Sequence, residues 1–440
     1  MSAEIHPNQT PASDVEGPIK RFFRATEIDT RVVGMVIALA VIWIGFDIAG
    51  KLITGTGLFL TPRNLWNLLV QTSSISVMAT GMVLIIVMRH IDLSVGSILG
   101  FIAVVIAYLQ VYGLPQYFAP GSPWVWILSM VIALVLGAAI GAFHGTLVAY
   151  TGIPSFIVTL SGLMFWRGAA FKIASGETIA PLDPTYALIG GGPYGSVGAF
   201  WSWIVGIIAC AGVVWGLHYG RVQRKRFNFP LRPIWAETFI GVVMCVALIG
   251  TVVLVNSYYW PKGVVKEYAA AHNITVPPEG LFIAHGFAMP VLIAIAVGLI
   301  MTFITNRTLF GRYVYAIGGN PEAVELAGIN TKKITITAFT IMGLLAAVSA
   351  IVATARLNAA AIALGTTDEL YVIAATVIGG TSLAGGTGTI FGAIFGALIM
   401  WSIQTGMTLL GFDTPVLQMT LGVVLSFAVW LDHMYRRRMK

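Results

Sequence analysis

Three short stretches of this chain carry residue types and spacings that could do specific work. The first is Ile91-Asp92-Leu93-Ser94-Val95-Gly96-Ser97. It sits between two apolar runs, where a buried carboxylate would cost about 3 kcal/mol at the centre of a bilayer and less toward its edge. The spacing suits an N-cap. The Asp92 oxygen can accept the free amide hydrogens of Ser94 or Val95 and occupy the positive end of the helix dipole. Ser94, Gly96 and Ser97 then leave room for another helix to approach. Two readings stand: a structural cap at a membrane boundary, or direct contact with a transported solute.

The second stretch is Gly318-Gly319-Asn320-Pro321-Glu322-Ala323-Val324-Glu325-Leu326-Ala327-Gly328-Ile329, within the polar segment Gly311 to Thr331. Asn320 suits N-cap, Pro321 suits N1, Glu322 places a negative charge in the first turn, and Gly328 suits C′. These positions predict an independently bounded helix of about two turns. A helix so short is marginal alone, and its apolar side chains need a receiving surface. That surface is either the rest of the chain or another protein.

The third stretch is Gly379-Gly380-Thr381-Ser382-Leu383-Ala384-Gly385-Gly386-Thr387-Gly388. So many glycines oppose a continuous helix, and unwound backbone at membrane depth is tolerated only where it faces protein or a watery cavity. Thr381, Ser382, Gly385 and Gly386 therefore read as a break that could line a passage. Glycines four apart follow at Gly388, Gly392 and Gly396, and recur at Gly137, Gly141 and Gly145. Such ladders permit tight helix contacts, which alone would explain them.

Other patterns lead nowhere. Gly45 to Lys51 spells G-x-x-x-x-G-K, but Leu52 stands where a phosphate loop needs Ser or Thr, and the run ends an apolar segment rather than following a strand. The seven histidines are scattered, and the two cysteines, Cys210 and Cys245, lie inside apolar runs at no metal spacing. No cofactor or metal is expected.

The elements that must position these stretches are membrane spans. The chain has 440 residues, 57% hydrophobic and 10% charged, whereas soluble domains run near 25% charged. With about 20 apolar residues needed per crossing, spans are expected near 32–49, 65–87, 93–110, 124–149, 154–174, 200–218, 233–254, 288–306, 334–354, 369–382, 388–410 and 415–431. The fold class is thus an all-α, polytopic transmembrane helical bundle of about twelve spans, some broken or re-entrant. The fifth is interrupted by Arg167 and Lys172, and the tenth runs into the glycine-rich stretch.

Twelve spans put both termini on one side. The basic clusters at Lys20 to Arg31, Arg221 to Arg232, Arg307 to Lys333 and Arg436 to Lys440 then all face the cytoplasm, as the positive-inside bias requires. The charge is distributed as a topological signal and not as a groove for nucleic acid. The expected organisation is a polar cytoplasmic tail over 1–31, a membrane domain over 32–432 with a cytoplasmic loop at 307–333 and an outside loop at 255–287, and a basic cytoplasmic tail over 433–440. No cleavable signal precedes the first span, which is expected to remain as an anchor.

At these stretches the sequence resembles the ribose/xylose-type sugar permeases of ABC importers. The resemblance runs from about Asn64 to Asp432 and rests on Ile91–Ser97, Ile153–Leu160, Arg312–Ile329 and Val377–Gly388 in that order. Within the family it is most similar to the xylose permeases, which share an additional pair of spans, a basic loop before the Arg312 segment and an ending like Val429 to Asp432. It departs at Arg89 and His90, where relatives carry small or acidic residues, and its 262–287 loop is longer.

The resemblance implies a bacterial inner-membrane subunit with no cofactor and no catalysis of its own, moving D-xylose or another pentose. It implies three protein partners: an ATP-binding cassette subunit, a periplasmic sugar-binding protein and a second copy of the permease. Gly319, Asn320, Pro321, Glu322, Ala323, Leu326 and Gly328 would form the coupling segment on the ATPase. Asp92, Ser94, Ser97, Thr381, Ser382, Gly385 and Gly386 would flank the passage. The alternative is an ion-coupled secondary transporter, which would bury ionisable groups mid-span. The acids here read as falling mostly in loops and termini, with Asp92 the nearest exception. A membrane-embedded enzyme would need converging nucleophile, base or metal ligands, and none stands out.

Overall fold

The structure is a computed structural model that describes residues 17–119 and 121–437. Residues 1–16 of the N-terminal tail and 438–440 of the C-terminal tail lie outside the described residues. The chain forms helices α1 (Pro18–Thr26), α2 (Thr30–Thr54), α3 (Pro62–Val87), α4 (Val95–Tyr108), α5 (Pro123–Thr151) and α6 (Ser155–Ala174). Next come α7 (Pro184–Ala187), α8 (Gly198–Arg226), α9 (Ile234–Asn256), α10 (Lys262–Ala271) and α11 (Met289–Arg307). The rest are α12 (Leu309–Gly319), α13 (Pro321–Leu326), α14 (Thr331–Leu357), α15 (Asp368–Ile378), α16 (Ile390–Leu409) and α17 (Thr414–Arg437).

Among the described residues, ten helical stretches are long and apolar enough to cross a membrane, including Val95–Gln116, in which α4 continues through a π turn and a 3₁₀ turn. The other two expected spans are α17, with a shorter apolar stretch at Thr414–Phe427, and α15. At eleven residues and about 1.5 Å each, α15 reaches roughly half way through a hydrocarbon core about 30 Å thick. The expected helical bundle with broken segments is therefore what the chain adopts.

Side-chain oxygens define many starts. Thr61 accepts from the Asn64 amide with Pro62 at N1, Thr308 from Gly311, Asn330 from Lys333 and Thr389 from Gly392. Each satisfies amides that hydrocarbon would leave unpaired. Helix α3 forms the centre, buried along most of its length and packed by α11, α14, α15 and α16.

The glycine ladders do the packing. A Cβ on Gly141 would overlap the Phe339 carbonyl, and one on Gly137 the Gly343 carbonyl, so α5 and α14 touch backbone to backbone. Gly392 and Gly396 bring α16 equally close to Gly379 and Ala375. By contrast α8 and α9 expose most of their surface, including Trp201, Trp215, Val242 and Val246, as lipid-facing helices would.

Successive long helices alternate in direction. One face of the bundle therefore carries α1, the α8–α9 turn and α12–α13, and is called here the basic face. On it, Glu27 holds α1 to the α8–α9 turn. Arg224 donates Nη1 and Nη2 to its two oxygens at 2.8 and 2.6 Å, and Arg232 adds Nε and Nη2 at 3.0 and 2.9 Å. Phe22 of α1 packs its ring on Phe239 and Trp235.

Candidate functional site

Two helices begin inside the bilayer rather than at its edge. After α3 ends at Val87 the chain turns back as an extended strip, which hydrogen bonds to α6 pin in place. The Ile91 amide donates to Ser155 Oγ at 3.1 Å, and the Leu93 amide to Thr159 Oγ1 at 3.0 Å. Helix α4 starts only at Val95.

From the opposite face, the segment after α14 descends without helix to Thr367, where α15 begins. The first turns meet: a Cβ on Gly96 would strike the Gly365 carbonyl and the Glu369 carboxylate, and one on Gly365 would strike the Gly96 carbonyl. Glycine is needed at both for the backbones to cross.

Depth can be read along α6. Arg167 is twelve residues beyond Ser155, about 18 Å at 1.5 Å per residue, near the middle of the core. Its Nη1 donates to the carbonyls of Ile362 and Leu364 at 3.2 and 3.0 Å, satisfying the irregular strand beside it. Asp368 and Glu369 lie within the field of Arg167, and Asp368 also within that of Arg356. The acids were expected mostly in loops and termini, with Asp92 the nearest exception; Asp368 and Glu369 are further exceptions, at membrane depth. The apolar run after them hid this, because hydropathy does not distinguish a half-helix from a span.

Asp92 is 2% exposed, and its Oδ1 accepts the Ser94 amide at 2.8 Å and the Ser94 hydroxyl at 2.6 Å; the expected N-cap role is corrected, because Ser94 itself is the N-cap of α4 and Asp92 closes an Asx turn just before it. Ser94 Oγ lies 3.2 Å from His144 Nδ1, and Trp166 Nε1 donates to His144 Nε2 at 3.1 Å. One proton arrangement satisfies all of these contacts: Ser94 donates to Asp92, His144 donates from Nδ1, and its bare Nε2 accepts from the indole. His144 is thus neutral and structural. Gly162 makes room for its ring. Ser97, fully buried, donates to the Ser94 carbonyl.

Thr381, Ser382, Gly385 and Gly386 lie at the other end of α15, in an unwound turn on the basic face. Thr381 and Ser382 are fully buried. Gly385 and Gly386 adopt left-handed φ of +86° and +77°. The Gly386 amide donates to the Val87 carbonyl at 2.9 Å. Gly318, at the end of α12, sits so close that a Cβ would overlap the Val87 oxygen. Tyr315 Oη donates to the Gly388 carbonyl at 2.8 Å.

Arg89 completes the junction, with Nε and Nη2 donating to the Gly318 and Gly319 carbonyls at 2.9 and 2.8 Å. The ends of α3, α12 and α15 are therefore locked together where α13 departs. In α13, Asn320 Oδ1 accepts the Ala323 amide at 3.1 Å, Pro321 opens the helix, and Gly328 follows at φ +78°. Val324 packs inward while Leu326 is 90% exposed.

The structure thus gathers the expected residues into two places, the start of α4 and the α12–α15 junction. Arg89, Arg167, Asp368 and Glu369 join them without having been singled out as site residues. Their signal was charge where charge is expensive.

Half-helices that start within the bilayer, beside a mid-depth arginine and buried acids, define a membrane transport protein. The chain belongs to the family described as the branched-chain amino acid transport system / permease component, whose model matches residues 64–225 and 193–429. It is 34% identical to the "Xylose transport system permease protein XylH" of Haemophilus influenzae, over 95% of this chain and all of that one. It is also 34% identical to XylH of Escherichia coli K12 over 88% of each. The "Ribose import permease protein RbsC" of the same organism is 31% identical over 85% of this chain and 87% of its own length. No solved structure matches.

Proposed function

We propose that the chain is the inner-membrane permease subunit of an importer for a neutral monosaccharide, with both termini cytoplasmic and ATP hydrolysed by a separate subunit. D-Xylose or another pentose is the first candidate, since relatives named as xylose permeases share 34% of its residues over 88–95% of the chain. A periplasmic binding protein would deliver the sugar, and two copies of the chain would form the core. The passage would follow the half-helices, with Asp92, Ser94 and Ser97 at the start of α4 and Thr381, Ser382, Gly385 and Gly386 at the end of α15.

The observation that carries this reading is α13: a self-capped helix whose Leu326 faces outward, joined through α12 to the ends of α3 and α15. An exposed leucine on a helix this short is unfavourable in water alone and fits a receiving surface on an ATPase. Work done on α13 would then reach both half-helices.

Leu326→Pro would remove one helical hydrogen bond and clash with the preceding turn. In proteoliposomes holding the permease, its ATPase and its binding protein, this variant should insert normally and lose sugar-stimulated hydrolysis. Unchanged hydrolysis would refute the coupling role.

The membrane-depth acids favour a second reading, ion-coupled transport. Accumulation of sugar by the purified chain under a proton or sodium gradient, without ATPase, would establish it.

A further inference from the structure

Helices α8 and α9 form a hairpin at the edge of the bundle, with α8 packed on α9 and α9 in turn on α3 and α1. Helix α8 has 29 residues, about 44 Å at 1.5 Å each, which matches a bilayer with its headgroups rather than the hydrocarbon alone. Exposed Trp215 and Tyr219 near its end, and exposed Trp235 in the first turn of α9, mark the hydrocarbon boundary on the basic face. Residues 220–233 between them therefore lie at headgroup depth.

Five basic side chains meet in this turn, and three of them hold it together. Arg221 Nη1 donates to Glu237 Oε2 at 2.7 Å and to the Arg232 carbonyl at 3.3 Å. Arg224 and Arg232 share Glu27, and Arg224 Nη1 also reaches the Pro230 carbonyl at 3.2 Å. The other two, Lys225 and Arg226, are exposed and pair with no carboxylate among the described residues. Phe227 and Phe229 follow them, 62% and 63% exposed, and the Arg226 guanidinium lies 5.8 Å from the centre of the Phe227 ring.

Bare aromatic rings are unfavourable in water, and unpaired cations are unfavourable in hydrocarbon. The boundary between headgroups and acyl chains suits both at once, because a phosphodiester answers the cations and the upper methylenes cover the rings. Lipid is favoured over a protein partner because Ile207, Ile208, Val242 and Val246, further along the same two helices, are exposed as well. The hairpin is thus surrounded by lipid along its length.

We propose that the α8–α9 turn binds the headgroup of an anionic phospholipid, with Lys225 and Arg226 on the phosphate and Phe227 and Phe229 at the top of the acyl chains. The site does not depend on which solute the chain transports.

The test measures binding of fluorescent phosphatidylglycerol to the purified full chain in neutral detergent, with phosphatidylcholine of the same acyl chains as reference. The parent should prefer phosphatidylglycerol, and the preference should shrink as salt rises from about 0.05 to about 0.5 M. Lys225→Gln combined with Arg226→Gln should weaken phosphatidylglycerol about 30-fold, each alone about fivefold, and leave phosphatidylcholine unchanged. Lys262→Gln combined with Lys266→Gln removes an equal charge from exposed positions on α10 and should bind as the parent does.

Parental binding by the Lys225/Arg226 double variant, equal binding of the two lipids by the parent, or an equal loss in the α10 control would each overturn the site. So would displacement of phosphatidylglycerol by inorganic phosphate beyond that caused by chloride at the same ionic strength, which would mark a site for free anions. If the double variant is not monodisperse, the two single variants decide.

Discussion

Arg89→Ala should loosen the end of α12 by a predictable amount. The guanidinium makes two charge-assisted bonds to the last carbonyls of that helix, at 2.9 and 2.8 Å, where the helix dipole is negative. Hydrogen bonds to charged groups contribute about 1.5–3 kcal/mol each when buried, and the dipole adds a few tenths. One of the two bonds is exposed and the other only partly buried, so each is discounted to about 1–1.5 kcal/mol and about 2–3 kcal/mol is expected in all.

The backbone gives an internal control. Arg89 has φ +65°, a conformation that costs a non-glycine residue about 1 kcal/mol and glycine little. Arg89→Gly should therefore be the milder of the two truncations by about 1 kcal/mol. Hydrogen exchange on purified protein reads both effects. Amides of α12 and α13 should exchange about 30- to 150-fold faster in Arg89→Ala, and roughly fivefold less accelerated in Arg89→Gly. If Arg89→Ala leaves α12 exchange unaltered, or Arg89→Gly proves the worse, the clamp is not what holds this junction.

Other perturbations separate local from long-range effects. Asn320→Ala removes the α13 cap and should cost that helix about 1 kcal/mol, seen as faster exchange confined to 321–327. Gly141→Val forces α5 off α14 against the Phe339 carbonyl and should cost at least about 3 kcal/mol, with loss of monodisperse protein in detergent chromatography. Gly212→Val, where a side chain would meet nothing, should leave stability within about 0.5 kcal/mol. Hydrogen bonds from Arg224 hold the Glu27 carboxyl down to about 2 from an ordinary 4.5. The docking of α1 that this supports is therefore complete above about pH 4.5 and lost as pH falls toward 2. Protection of α1 amides, corrected for intrinsic exchange, should follow that window.

Local signals in the sequence were read well. The cap at Asn320 and the αL glycine at 328 are decided within a few residues, so spacing alone exposes them. The two glycine ladders also declared themselves, although not which helices they would meet.

What escaped depends on distant partners. Arg167 looked like an interruption of a span because the carbonyls that satisfy it are 195 and 197 residues away. Arg89 looked like a departure from related sequences because the helix end it clamps lies some 230 residues on. Glu369 stood at the head of an apolar run and passed for the start of a crossing. The Gly96–Gly365 contact and the Arg167 bonds to Ile362 and Leu364 show that α15 begins in mid-bilayer.

The central claim is that α13 receives work from a partner ATPase on the cytoplasmic side. It is tested most directly by Leu326→Cys, with both native cysteines replaced by serine, in the assembled complex treated with a short bis-thiol cross-linker and a panel of single-cysteine ATPase variants. The account predicts a permease–ATPase adduct whose yield changes when ATP binds, and protection of Leu326→Cys from membrane-impermeant reagents added to intact cells. Labelling from outside the cell, with no adduct to any ATPase variant, would contradict it.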